Sequence, residues 1–197
     1  AGSDPSGGAG IQADLKTFHQ YGVYGEAVIT LITVQNTRSV SRVEVLDPEL
    51  VAEQIRALVS DIPPQAAKTG ALGSVAVTEA VAREAKRFAF PLVVDPVMIS
   101  KHRTPLTSED ARAAMRELLM PLATVVTPNL HEAAELTGMR VESIEDMKRA
   151  AERLCEMGCK AVLVKGGHLT SCATDVLFSD GEFDEFPSKR IDTIHTH

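Results

Sequence analysis

The sequence predicts an α/β protein with a mainly parallel sheet covered by helices on both faces. Short, nearly continuous apolar runs alternate with stretches whose apolar residues recur every three or four positions, the pattern of strands alternating with amphipathic helices. Polar residues and glycines cluster where the apolar runs end, the edge at which parallel α/β sheets hold their ligands. A chain of 197 residues, 44% apolar and 24% charged, is long enough to bury a substantial core.

The chain opens on Ala1-Gly2-Ser3-Asp4-Pro5-Ser6-Gly7-Gly8-Ala9-Gly10, a turn-forming stretch expected to leave the end of a first strand that is itself missing. Ile11, Leu15 and Phe18 predict a helix over 11–21, stopped by Gly22. Residues 27–34 read as a strand buried on both faces. Pro48 opens a helix to residue 60, with Val51, Ile55, Leu58 and Val59 on one side. A short strand over 66–70 follows, then a helical stripe of Val77, Val81, Ala85 and Phe88, then a buried strand over 92–95 ending in an acid. Ala111, Ala114, Met115, Leu118 and Leu119 form another helical face before a strand over 124–127. Helices over 130–137 and 144–157 end at Gly138 and Gly158, and a strand over 161–165 comes next. Residues 175–178 and 182–186 pair as a hairpin around Asp180-Gly181, an antiparallel edge to the sheet.

Several function classes fall away. Twenty Lys+Arg against 27 Asp+Glu give a net charge of −7, with no basic patch to attract nucleic acid. No apolar run reaches the roughly 18 residues of a membrane span. Cys155, Cys159 and Cys172 lack the spacing of a zinc site or disulfide framework and suggest a reducing compartment. Gly8-Ala9-Gly10-Ile11-Gln12-Ala13 fits a variant dinucleotide fingerprint, but the strand before it and the acid about twenty residues beyond it are absent. No Walker loop occurs. His195 and His197 lack a third metal ligand.

The remaining polar punctuation admits chemistry. Gly8 and Gly10 permit close ligand approach, and Asp14 and Gln35 offer complementary contacts to a heteroaromatic ring, although periodicity alone favours a capping acid and an ordinary polar loop. Asp95 ends a strand, while Asn129 and Glu132 have capping-box spacing at a helix start. Asp95 and Glu132 could together hold hydrated Mg²⁺. Lys165-Gly166-Gly167-His168 places a cation after a further strand, suited to solvent or to a phosphate.

Taken in order, AGSDPSGGAGIQADLKTF at 1–18, VQNT at 34–37, KTGAL at 68–72, DPVM at 95–98, LATVVTPNLHEAAELTG at 122–138, VKGGHL at 164–169 and RIDTIHTH at 190–197 resemble the hydroxymethylpyrimidine/phosphomethylpyrimidine kinases of the ribokinase-like superfamily. Pyridoxal kinases share several of these blocks. The resemblance implies a three-layer α/β/α sandwich and a single domain over 1–197, lacking the first strand and the C-terminal catalytic loop and helices. It implies ATP-dependent phosphorylation of 4-amino-5-hydroxymethyl-2-methylpyrimidine and its monophosphate, with ATP and Mg²⁺ as cofactors, in the cytoplasm. Pyridoxal kinase and a catalytically inactive pyrimidine-binding regulatory domain are the alternatives; a homodimer is left open.

By the same resemblance, Ala9, Asp14, Gln35, Ala71 and Val97 line the pyrimidine pocket. Asp95 and Glu132 belong to the Mg²⁺-phosphate region, and Lys165, Gly166 and Asn129 to the nucleotide phosphates, with Lys165 and Asn129 in catalytic roles. Ala71 stands where the family often carries Met, which widens the pocket. Residues 99–104 lack the family's usual Ser-Gly after Lys101. The family's Gly-Thr-Gly-Cys loop, which supplies phosphate-binding amides and the hydroxyl-activating residue, follows the position of His197, so none of the three cysteines here takes that role.

Overall fold

The computed structural model describes residues 1–98, 109–167, 169 and 173–191. A two-residue strand lies within the opening segment. β1 (Gly2–Ser3) pairs in parallel with β2 (Leu31–Gln35), which pairs antiparallel with β3 (Val40–Val45). Between β1 and β2 lies α1 (Gly10–Gln20). β3 was not anticipated, although Val40, Val43 and Val45 alternate with Ser41, Arg42 and Glu44 over most of its length. The expectation of a strand over 27–34 buried on both faces is corrected. The strand begins at Leu31, with Leu31 and Thr33 buried, whereas Ile32 and Val34 are 46% and 55% exposed. One uncovered face follows from membership in a small three-stranded sheet.

Among the described residues, the main sheet has six strands in chain order. α2 (Pro48–Asp61) starts on the Asp47 side chain, which accepts from two backbone N–H groups, and leads to β4 (Ala67–Thr69). α3 (Val75–Ala85), capped by Ser74, leads to β5 (Leu92–Val94). α4 (Glu109–Ala114) loosens into a π turn over Met115–Leu119 and a 3₁₀ turn over Met120–Leu122 before β6 (Val125–Val126). α5 (Leu130–Thr137) and α6 (Ile144–Glu156) precede β7 (Ala161–Val164). β4 to β7 are parallel, and β8 (Ala173–Ser179) and β9 (Glu182–Ser188) extend the sheet antiparallel. Their turn is Asp180-Gly181, both at positive φ, as a two-residue hairpin turn of this kind requires.

The core lies under Leu92, Val94, Val126, Val162 and Val164 of the sheet, packed with Val77, Leu119, Met147 and Leu154 from the helices. Within β5 and β7, Val93 and Leu163 are only half-buried. That more open face carries the charged residues of the site. Cys159 is buried with its thiol pushed up to about 12 by desolvation, and Cys155 is half-buried, as packed rather than reactive cysteines are. Among the described residues, no helix is long and apolar enough to cross a membrane.

Candidate active site

Strand register assembles the site. Lys68 of β4 lies opposite Val93 of β5, Val93 opposite Val125 of β6, and Val126 opposite Val162 of β7. Because side chains alternate along a strand, Lys68, Asp95 and Lys165 share one face at the carboxyl edge. Lys165 also pairs in parallel with Asn129 and donates its backbone N–H to the Pro128 carbonyl at 2.8 Å. The Lys165 ammonium donates to Asp95 Oδ1 at 3.0 Å. The other Asp95 oxygen lies 3.4 Å from Lys68 Nζ, which stands 3.2 Å from Asp14 Oδ1. The result is a row of alternating charge from Asp14 through Lys68 and Asp95 to Lys165. The sequence reading missed Lys68, although it lies inside the KTGAL block.

Asn129 and Glu132 form the expected capping box at α5. The Asn129 side chain accepts from the Glu132 N–H at 3.0 Å, and Glu132 Oε2 accepts from the Asn129 N–H at 2.8 Å. Glu132 is buried, and desolvation pushes its carboxyl from 4.5 up to about 7, aided by the charge of Asp95 and opposed by backbone donors and Lys165. Because the folded value lies above the ordinary one, the stabilising contribution is present below pH 4.5 and lost as pH rises through about 7. Glu132→Gln keeps a capping-box acceptor. In Mg²⁺-free buffer it is expected to flatten the pH dependence of Tm between about 4.5 and 7, and to be more stable than wild type at pH 8 by up to about 3 kcal/mol. Thermal melts across that range check this; parallel curves for the two proteins would contradict it.

Among the described residues, no group of three or more His, Cys, Asp or Glu side chains is placed to hold a metal. Asp95 and Glu132 instead form a pair close enough for the charge of Asp95 to act on Glu132. Two carboxylates beside a lysine fit Mg²⁺, which retains several waters and shares its shell with phosphate oxygens.

The opening loop is built around Asp4, a second residue the sequence reading did not single out. Asp4 Oδ1 accepts from the Ser6 N–H and hydroxyl at 2.8 and 2.7 Å, and Oδ2 from the Gly8 and Ala9 N–H groups at 3.1 and 2.9 Å. Gln12 accepts from the Asp4 N–H at 2.9 Å. Ala9 is thereby fixed as the N-cap of α1, which carries Asp14. Gly10 has φ of 60°, and a Cβ there would overlap the Gly2 carbonyl oxygen. Close packing of the loop on β1 therefore explains this glycine of the supposed dinucleotide fingerprint.

Gln35 ends β2 opposite Val40 and is half-buried. Ala71 follows β4, and its carbonyl accepts from the Thr30 hydroxyl at 2.6 Å, joining the small sheet to the main one. Val97 is half-buried, with its N–H bonded to the Asp95 carbonyl at 2.8 Å. Gly166 donates its N–H to Asp175 Oδ1 at 2.8 Å, and a Cβ on it would overlap the Thr174 carbonyl oxygen. Residues 99–104, His168, Cys172, His195 and His197 lie outside the described residues.

Comparison with known proteins places this geometry. The phosphomethylpyrimidine kinase family profile matches residues 4–197. The hydroxymethylpyrimidine/phosphomethylpyrimidine kinase of Bacillus subtilis is 44% identical over 200 residues, spanning 100% of this chain and 74% of that protein. A crystal structure of phosphomethylpyrimidine kinase from Clostridium difficile superposes with a TM-score of 0.88 at 45% identity, covering 96% of this chain and 82% of the other. Pyridoxal kinase of Staphylococcus aureus in complex with ADP also superposes with a TM-score of 0.88, at 36% identity over 98% of this chain and 71% of that one. The match along nearly the whole chain, on a sheet whose carboxyl edge gathers these charges, makes this protein a member of the phosphomethylpyrimidine kinase family.

Proposed function

We propose that the protein transfers the γ-phosphoryl group of ATP to the hydroxymethyl oxygen of 4-amino-5-hydroxymethyl-2-methylpyrimidine, and then phosphorylates the monophosphate to the diphosphate. The observation that carries this reading is the continuous row of ion pairs from Asp14 to Lys165, because it sets a ring-binding acid beside a phosphate-binding cation. Asp14 and Gln35 accept from and donate to the ring substituents, while Ala9, Ala71 and Val97 give its apolar walls. Lys165 offsets charge developing on the transferred phosphoryl group, Asn129 orients phosphate or metal, and Gly166 lies against the nucleotide. Mg²⁺ held by Asp95 and Glu132 supplies further charge neutralisation when bound. A cytoplasmic setting accords with this metabolism.

Pyridoxal phosphorylation is the second reading, favoured by the equal superposition of the Staphylococcus aureus pyridoxal kinase and by the small Ala71 side chain. Initial rates with the pyrimidine, its monophosphate and pyridoxal, each with Mg²⁺ and ATP, separate the two. The proposal expects higher kcat/KM for both pyrimidines; selective turnover of pyridoxal would replace it with the second reading.

A further inference from the structure

Lys68 is the one member of the charge row to which the reaction as described assigns no work. Its ammonium lies 3.2 Å from Asp14 Oδ1, on helix α1, and 3.4 Å from Asp95 Oδ2, just past β5. The side chains of Lys68, Asp14 and Asp95 are only 31%, 27% and 17% exposed, so the contacts are less screened than those of an ordinary surface pair. The backbone confirms that the arrangement is set by the fold, since the parallel register of β4 on β5 brings Lys68 beside the strand that Asp95 ends.

We propose that Lys68 is a positioning residue that ties the ring-binding end of the site to its phosphate end, holding the Asp14 carboxylate aimed at the pyrimidine. Asp95 has two cationic neighbours, Lys165 on Oδ1 and Lys68 on Oδ2. When Lys165 turns to a nucleotide phosphate, Lys68 remains to compensate both Asp14 and Asp95. Without it, Asp14 loses the lysine that pairs with it among the described residues, and the carboxylate, no longer held, turns away from the ring. Lys68 touches neither substrate nor phosphate in this account; it acts through Asp14. The expected signature is a loss of pyrimidine affinity with turnover largely kept.

This inference rests on the proposed function, and the test separates the two. Pyrimidine KM and kcat are measured for wild type, Lys68→Met and Lys68→Arg at saturating Mg²⁺ and ATP, with calorimetric binding of the pyrimidine to each protein and a thermal melt as controls. Lys68→Met is expected to raise KM and Kd for the pyrimidine about tenfold while kcat falls less than about threefold, and Lys68→Arg to recover most of the affinity. Unchanged KM and Kd in Lys68→Met, or a loss confined to kcat, would overturn the positioning role. If Lys68→Met fails to fold, Lys68→Gln carries the same comparison. A wild-type protein that neither binds nor phosphorylates the pyrimidine overturns the functional reading instead, and the Lys68 comparison is then read with pyridoxal under the same criteria.

Discussion

Lys165→Ala is expected to lower kcat about 100- to 1,000-fold while leaving the protein folded, the scale of removing a preorganised group aimed at charge that develops in the transition state. The side chain is 38% exposed and its main contact is Asp95, so its loss opens no core cavity. Strand β7 keeps its backbone pairing, and the Lys165 N–H bond to Pro128 just past it is kept as well. The effect therefore falls on chemistry. In the substituted protein Asp95 loses its closest cation at the place where phosphates must enter, which penalises the nucleotide as well as the transition state. Lys165→Arg, which keeps the charge but not the compact ammonium, is expected to fall between the two. The measurement is kcat at saturating ATP and Mg²⁺, with circular dichroism to confirm the fold. Wild-type turnover in Lys165→Ala would remove Lys165 from the site.

The second large effect is on stability. Gly166→Ala is expected to destabilise the protein by about 3 kcal/mol, at the upper end of what overpacking costs. A Cβ on Gly166 overlaps a backbone oxygen, that of Thr174, rather than the end of a flexible side chain. Thr174 belongs to β8 and lies opposite Pro187 of β9, so it can retreat only by disturbing that ladder. The Gly166 N–H bond to Asp175 would be lost in the same movement. Gly167→Ala is the control: a Cβ there meets none of the described residues within 4 Å, and its Tm is expected to match wild type. Denaturant unfolding of both variants checks the contrast; equal stability of the two would show that the turn after β7 is slack.

The parts of the fold legible in the sequence were those set by local chemistry. Asn129 and Glu132, three residues apart ahead of an apolar stripe, announced the α5 cap, and Asp180-Gly181 announced the hairpin that the structure extends to Ala173–Ser188. Residues 27–34 misled because apolar composition reports burial only when the partner layer is known, and Ile32 and Val34 face away from one. Asp4 escaped notice because most of the hydrogen bonds its carboxylate accepts come from backbone N–H groups within five residues, although Ser3-Asp4-Pro5-Ser6 is a side-chain-mediated turn signal.

For the site, Asp14, Asp95, Glu132, Asn129 and Lys165 could each be suspected from their places after strands or at helix starts. Lys68 could not, since a lysine between Ala67 and Thr69 reads as a solvated strand residue. Its meaning depends on register across β4 and β5 and on where α1 carries Asp14, both tertiary facts. The family blocks supplied the chemistry that spacing left open between a capped loop and a ring-binding mouth.

The central claim is successive phosphoryl transfer to one pyrimidine at this site, and a ³¹P-resolved time course tests it most directly. The protein is incubated with Mg²⁺, ATP and 4-amino-5-hydroxymethyl-2-methylpyrimidine, and phosphorylated products are followed as ATP is consumed. The account predicts that the monophosphate signal rises first and then gives way to the diphosphate, with ADP formed in step with both. Consumption of ATP with no phosphorylated pyrimidine, in a sample that converts pyridoxal to its phosphate, would contradict it.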